Sequence, residues 1–176
     1  TPIALKKLAS DLRQAILDLE DAGMAHGDLQ HGNILVAPGG KLRLVDYDGM
    51  FVPGLEKLAP PENGHRNYQS PKRNVSDYGP RMDRFSGWVV RLSLLALAEA
   101  PELWSELRKP GDEGLIFQEG DFNDPHQIAE KLKSRGIPAL DRIATRFVNL
   151  CTWDLSKLPS LDRLDRLDRG APHQAA

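Results

Sequence analysis

The stretch HGDLQHGNILVAPGGKLRLVDYDG, residues 26–49, decides how the chain is read. Two short apolar runs, NILVA at 33–37 and KLRLV at 41–45, flank Pro38, Gly39 and Gly40. Alternating apolar residues around such a turn predict a β-hairpin. With a two-residue turn at Gly39-Gly40, Pro38 faces Lys41, Leu35 faces Leu44, and Asn33 faces Asp46. Opposed side chains on antiparallel strands stand about 5 Å apart at Cβ. The expected hairpin therefore brings an amide oxygen and a carboxylate to one spot. Few ligands, all oxygen, suit Mg²⁺ better than zinc. Asp28, five residues before Asn33, can reach the same space and accept a proton from a substrate hydroxyl. Taken singly, each of the three has an ordinary structural explanation, since Asp caps turns and Asn bonds within loops. Their coincidence is what points to chemistry, and a slip of one residue in the turn would spoil the register.

Working outward, Ile3, Leu5, Leu8, Leu12, Ala15, Ile16 and Leu19 recur every three or four positions. They predict an amphipathic helix from Pro2 to Asp21, with Gly23 just past its end. Residues 47–81 hold Pro53, Pro60, Pro61, Pro71 and Pro80 among several glycines, which forbids long regular elements. A loop that long inside a compact domain is usually functional. From Met82 to Ala98 the chain is apolar on nearly every side, as expected of a helix through the middle of a domain. A short helix at Glu102–Lys109, a Gly- and Asp-rich loop to Asp124, and helices at Pro125–Ser134 and Pro138–Trp153 complete the reading. The terminal LDRLDRLDR at 161–169 spaces Asp162 and Arg166, and Asp165 and Arg169, for helical ion pairs. It is too short to be a stable helix alone, so a solvated or docked tail is expected. The fold class is mainly α with a small β-hairpin. One domain spans 1–155, and a flexible or weakly helical tail spans 156–176.

Composition narrows the function classes. The 176 residues, 40% hydrophobic, suit one domain with a real core. The net charge of −2, from 23 basic and 25 acidic residues, favours neither nucleic acid nor an anionic membrane. The longest apolar stretch, WVVRLSLLALA, is too short to span a bilayer and contains Arg91. The single Cys151 fits core filler in a reducing, cytoplasmic setting. The acidic run DFND at 121–124 fails as a calcium loop, because its sixth and twelfth positions are His126 and Leu132.

His26-Gly27-Asp28-Leu29-Gln30-His31-Gly32-Asn33 resembles the protein-kinase catalytic loop H-R-D-L-x-x-x-N, and Asp46-Tyr47-Asp48 resembles the D-F-G that follows it. YQSPK at 68–72 resembles the end of an activation segment, with Pro71 in the proline position of A-P-E. MDRFSGW at 82–88 resembles the start of the central helix of a kinase C-lobe. The four matches occur in kinase order, and bacterial serine/threonine-kinase-like proteins are the nearest look-alikes. The resemblance implies a kinase-like C-lobe (α+β) with Asp28 as catalytic base and Gln30 beside the transferred phosphoryl. It implies Asn33 and Asp46 as Mg²⁺ ligands, Leu35 in the floor of the ATP site, and residues 48–70 as the activation segment. It also implies that Asp83 braces the catalytic loop by accepting backbone hydrogen bonds, and that His26 is structural.

Departures from the pattern shape the expected activity. Gly27 replaces the loop arginine that pairs with a phosphorylated segment, so switching by that route is not expected. Gln30 replaces a lysine, Asp48 replaces a glycine, and Lys72 replaces the glutamate after Pro71. No G-x-G-x-x-G and no V-A-I-K-like strand occurs, so a nucleotide finds a floor and no roof. The expected partners are an upstream N-lobe, ATP with Mg²⁺, and a protein substrate or protein partner, with no nucleic acid and no membrane. Two alternatives stand beside this one. One is a pseudokinase scaffold that binds partners through the Pro-rich segment or the tail. The other is a small-molecule kinase, of the kind its HGD form also resembles.

Overall fold

The computed structural model describes residues 1–58 and 63–170. Among them are seven α-helices and one two-stranded antiparallel hairpin. Helix α1 runs Pro2–Asp21, as the periodicity predicts, with the Thr1 hydroxyl accepting from the Ala4 amide at 3.3 Å. Its Ala9, Leu12 and Ile16 are buried against α2, Arg84–Glu99, the apolar central helix. Gly87 lets the two approach. A Cβ there would stand 2.6 Å from the Ile16 Cδ1 and 3.0 Å from a Leu161 methyl. Helices α3 (Leu103–Leu107), α5 (Pro125–Lys133) and α6 (Pro138–Thr152) fall where expected, each a residue or two shorter at its ends. Phe147 of α6 stacks on Phe117 with ring centres 3.9 Å apart, and this joins the α5–α6 pair to the core. Among the described residues no helix is long and apolar enough to cross a membrane.

Three expectations are corrected by packing. The Gly- and Asp-rich loop to Asp124 contains a short helix, α4, at Glu119–Asn123. Gln118 and Asp121 cap it reciprocally, and buried Phe122 meets Phe85 edge-on at 5.1 Å. The tail, expected to be solvated or docked, is docked through residue 170, so that the core does not stop at residue 155. Leu158, Leu161 and Leu167 are buried in the main core, and α7 runs Leu164–Arg169. Trp88 Nε1 donates to the Pro159 carbonyl at 3.0 Å, and Asn149 Nδ2 to that of Leu167 at 2.6 Å. Asp165 pairs with Arg169 at 2.9 Å as its spacing predicts, whereas Asp162 and Arg166 form no ion pair among the described residues and Asp168 pairs with Arg146. The core thus continues past residue 155, and residues 171–176 of the expected tail lie outside the described ones.

The third correction is the hairpin register. Strands β1 (Ile34–Val36) and β2 (Leu42–Leu44) pair Ile34 with Leu44, Leu35 with Arg43 and Val36 with Leu42. The loop holds three residues, not two. Gly40 N–H donates to the Ala37 carbonyl at 2.9 Å, with Pro38 and then Gly39 (φ +84°) between them, as a type II turn requires. Gly40 (φ +78°) is the added residue. Leu35 therefore does not face Leu44, and Asn33 does not face Asp46. The Val45 amide donates to the Asn33 carbonyl at 3.0 Å, so Val45 lies opposite Asn33.

Lys72, in the position where the resembled motif has a glutamate, finds a different partner. Its ammonium donates to the carbonyls of Cys151, Thr152 and Trp153 at 2.9, 3.2 and 3.3 Å. These are free carbonyls at the negative end of α6, so a cation completes that helix end. Lys72→Met is expected to lower stability by about 1 kcal/mol. Lys72→Glu should cost more, because it sets a carboxylate against those carbonyls. Urea unfolding midpoints of the two variants check the order.

Candidate active site

The loop at 26–33 hangs from the first turn of α2. The Asp83 carboxylate accepts the His26 amide on one oxygen and the Gly27 amide on the other, the latter at 2.9 Å. Asp83 is 3% exposed, so its charge is taken out of water and depends on those two donors. Burial pushes its carboxyl above the usual range, and the two amides with the nearby Arg73 and His26 pull it back. The expectation that Asp83 accepts backbone hydrogen bonds from this loop holds. The buried His26 ring stands 2.9 Å by its Nε2 from the Val45 carbonyl, tying the loop to the hairpin, in keeping with a structural role.

Gly27 is required where it stands. Its φ is +89°, and a Cβ would lie 2.0 Å from the Gly49 carbonyl oxygen. An arginine has no room there. A guanidinium arrives from elsewhere: Arg73 Nη1 donates to the Gly27 carbonyl at 3.3 Å and also to Gln69 Oε1. Gln69 Nε2 reaches the same carbonyl at 3.4 Å. An antiparallel bridge between Ala25 and Phe51 secures the start of the long segment beside this loop.

Asp28, Gln30 and Asn33 form one cluster. Asp28 is 7% exposed, and its Oδ2 accepts Gln30 Nε2 at 2.7 Å and Asn33 Nδ2 at 3.0 Å. The same Nδ2 also reaches the Asp28 carbonyl at 2.9 Å. Its two hydrogens are thus both directed at Asp28, which leaves Oδ1 of Asn33 as the oxygen for another partner. On the far side of the carboxylate, the His65 amide donates to Asp28 Oδ1 at 2.6 Å.

Asp46 does not take the position opposite Asn33 that a two-residue turn predicts. It is exposed, one position beyond the residue opposite Asn33, and regular pleating would send the two side chains to opposite faces. Its φ of +66° breaks that alternation, and it is the only non-glycine residue with positive φ among those described. Leu35 and Val36 are exposed on β1. No group of three or more His, Cys, Asp or Glu able to hold a metal ion occurs among the described residues.

The sequence did not point to Gly64 and His65 as neighbours of Asp28, or to Gln69 and Arg73 as neighbours of Gly27. The run HRNYQSPKR at 65–73 is dense in hydrogen-bonding side chains, which was the available signal. Tyr68, fully buried, bonds through its hydroxyl to His31 Nδ1 at 2.6 Å. Desolvation, then the charges of Arg108 and His65, hold the His31 imidazole below its ordinary 6.5. No family model matches the chain.

Asp83→Asn keeps the size of the side chain but presents one acceptor to two amides, turning an NH₂ towards the other. It is expected to cost about 2 kcal/mol in unfolding free energy by denaturant titration. His31 gives a pH signature. Its folded-state pKa lies below 6.5, so folding favours the neutral ring. That contribution is complete above pH 6.5 and is lost as pH falls through the folded value. Urea midpoints at pH 5.0 and 7.5 should differ less in His31→Asn than in the wild-type chain.

Proposed function

We propose that this chain is the C-terminal lobe of a protein-kinase-like phosphotransferase, which with an upstream lobe in place moves the γ-phosphoryl of ATP to a protein Ser/Thr hydroxyl. The observation that supports this best is the setting of Asp28. Its carboxylate takes three donors, two from its own loop and one from 37 residues away, and that loop is clamped onto the central helix by Asp83. A turn-capping aspartate needs one such donor, whereas a general base must be held in orientation.

In this reading Asp28 accepts the proton of the substrate hydroxyl and aligns its oxygen for attack. Gln30, bonded to Asp28, helps orient the base and brings no positive charge to the transferred phosphoryl. Turnover is therefore slower than with a cation at that position. Asn33 Oδ1 and the Asp46 carboxylate would hold Mg²⁺. This donor set is too small to bind an ion by itself, but it suits a hard cation that phosphate oxygens complete. The cation supplies charge neutralisation at the phosphates when bound. Leu35, 49% exposed on the hairpin, offers an apolar floor to a nucleotide base. A lobe that grips the phosphates from above is the remaining need.

A non-catalytic scaffold is the second reading. The displaced register favours it, since the hairpin itself does not oppose Asn33 and Asp46. The two part on one experiment. The chain joined to the upstream lobe should phosphorylate a general protein acceptor in the presence of Mg²⁺ and ATP. Asp28→Asn should lose roughly 100-fold or more in kcat. Equal, background-level incorporation by wild type and variant would leave the scaffold reading.

A further inference from the structure

We propose that the backbone amide of His65, within the long irregular segment, is a positioning group for Asp28, so that the base is complete only when that segment lies over the 26–33 loop. The inference rests on the phosphotransfer reading above and adds to it the group that orients the base.

The donors are unevenly divided. A carboxylate offers about four acceptor positions, two on each oxygen. Oδ2 of Asp28 takes two donors, Gln30 Nε2 and Asn33 Nδ2, both from its own loop. Oδ1 takes the His65 amide, 37 residues away in sequence. The position left for a substrate hydroxyl is therefore on Oδ1, beside that amide. Two donors on Oδ2 leave the carboxylate able to rock about its Cβ–Cγ bond, and a third on the opposite oxygen sets its plane.

The approach of this segment is close. Gly64 has φ +70°, and a Cβ there would lie 2.6 Å from Gln69 Nε2, 2.9 Å from the Gly27 carbonyl oxygen and 3.1 Å from Asp28 Oδ1. A glycine is thus what allows the backbone to rest on the loop, and no side chain at 64 fills the space beside Oδ1. The His65 ring turns away from Asp28: Nδ1 accepts the Asn67 amide at 3.2 Å, and Nε2 pairs with Glu113 Oε2 at 3.3 Å. The link to Asp28 is therefore made by the main chain, independently of the imidazole.

That division makes a clean test possible. His65 has φ −73°, within the range proline imposes, so His65→Pro removes the N–H while keeping the local φ. His65→Ala removes the ring and keeps the N–H. In the protein with its upstream lobe, His65→Pro should lower kcat roughly tenfold or more below that of His65→Ala, with KM for ATP unchanged. Equal losses in both variants, or wild-type turnover in a folded His65→Pro, would overturn the inference. Hydrogen exchange on the chain itself needs no folded proline variant. The His65 amide should exchange slowly in wild type and much faster in Asp28→Ala, and an unchanged rate would also overturn it. A wild-type protein without phosphotransfer but with a protected His65 amide would sink the phosphotransfer reading while leaving the contact in place.

Discussion

One buried carboxylate holds the site to the fold. Asp83 sits at the start of α2, whose apolar surface fixes it in the middle of the core. An ionised group in that position is tolerable only if both oxygens are satisfied, and the amides of His26 and Gly27 satisfy them. The dependence runs both ways. Without the carboxylate, two loop amides would be buried with no acceptor. Without the loop, a charge would be stranded beside the core. The 26–33 loop therefore inherits the rigidity of the central helix, and Asp28 is presented from a fixed base although it lies outside regular structure.

Around that clamp, the departures from the kinase-like pattern form a consistent set of alternatives. Gly27 stands where the resembled loop has an arginine, because the chain passes within contact of Gly49. Arg73 supplies a guanidinium to the Gly27 carbonyl from the other end of the irregular segment. Lys72 reverses the charge of its counterpart in the motif and meets the carbonyl end of α6 rather than a basic residue. Gln30 donates to Asp28 as a neutral side chain where the resembled motif has a cation. Each exchange is explained by what the new residue touches. Only the loss of charge at Gln30 bears on chemistry directly.

The described part of the irregular segment is held without α-helices or long strands, apart from two single 3₁₀ turns. It is fastened at Ala25–Phe51, at the Tyr68–His31 bond, and at the Gly64–His65 contact with the 26–33 loop. Backbone groups that would otherwise face solvent are spent on the site itself. The described part of the segment and the 26–33 loop are therefore joined by direct hydrogen bonds.

The helices and their order were legible in the sequence, because apolar spacing in α1, α2, α5 and α6 is a local property that burial merely uses. The presence of a hairpin and the grouping of Asp28, Gln30 and Asn33 were legible for the same reason, since all three lie within six residues. The register was not. Pro38 and Gly39 form the tight turn and Gly40 adds a residue, and that single step moved Asp46 off the position opposite Asn33. Helix α4 was also hidden, and the sequence left open whether residues 156–170 are solvated or docked. Phe122, Leu161 and Leu167 are ordered by surfaces on other helices, not by their neighbours in the chain. What the sequence determined by itself was the set of elements and the residue types able to do chemistry. Tertiary structure alone decided which of them meet, because a contact such as His65 to Asp28 depends on a chain reversal that no local pattern encodes.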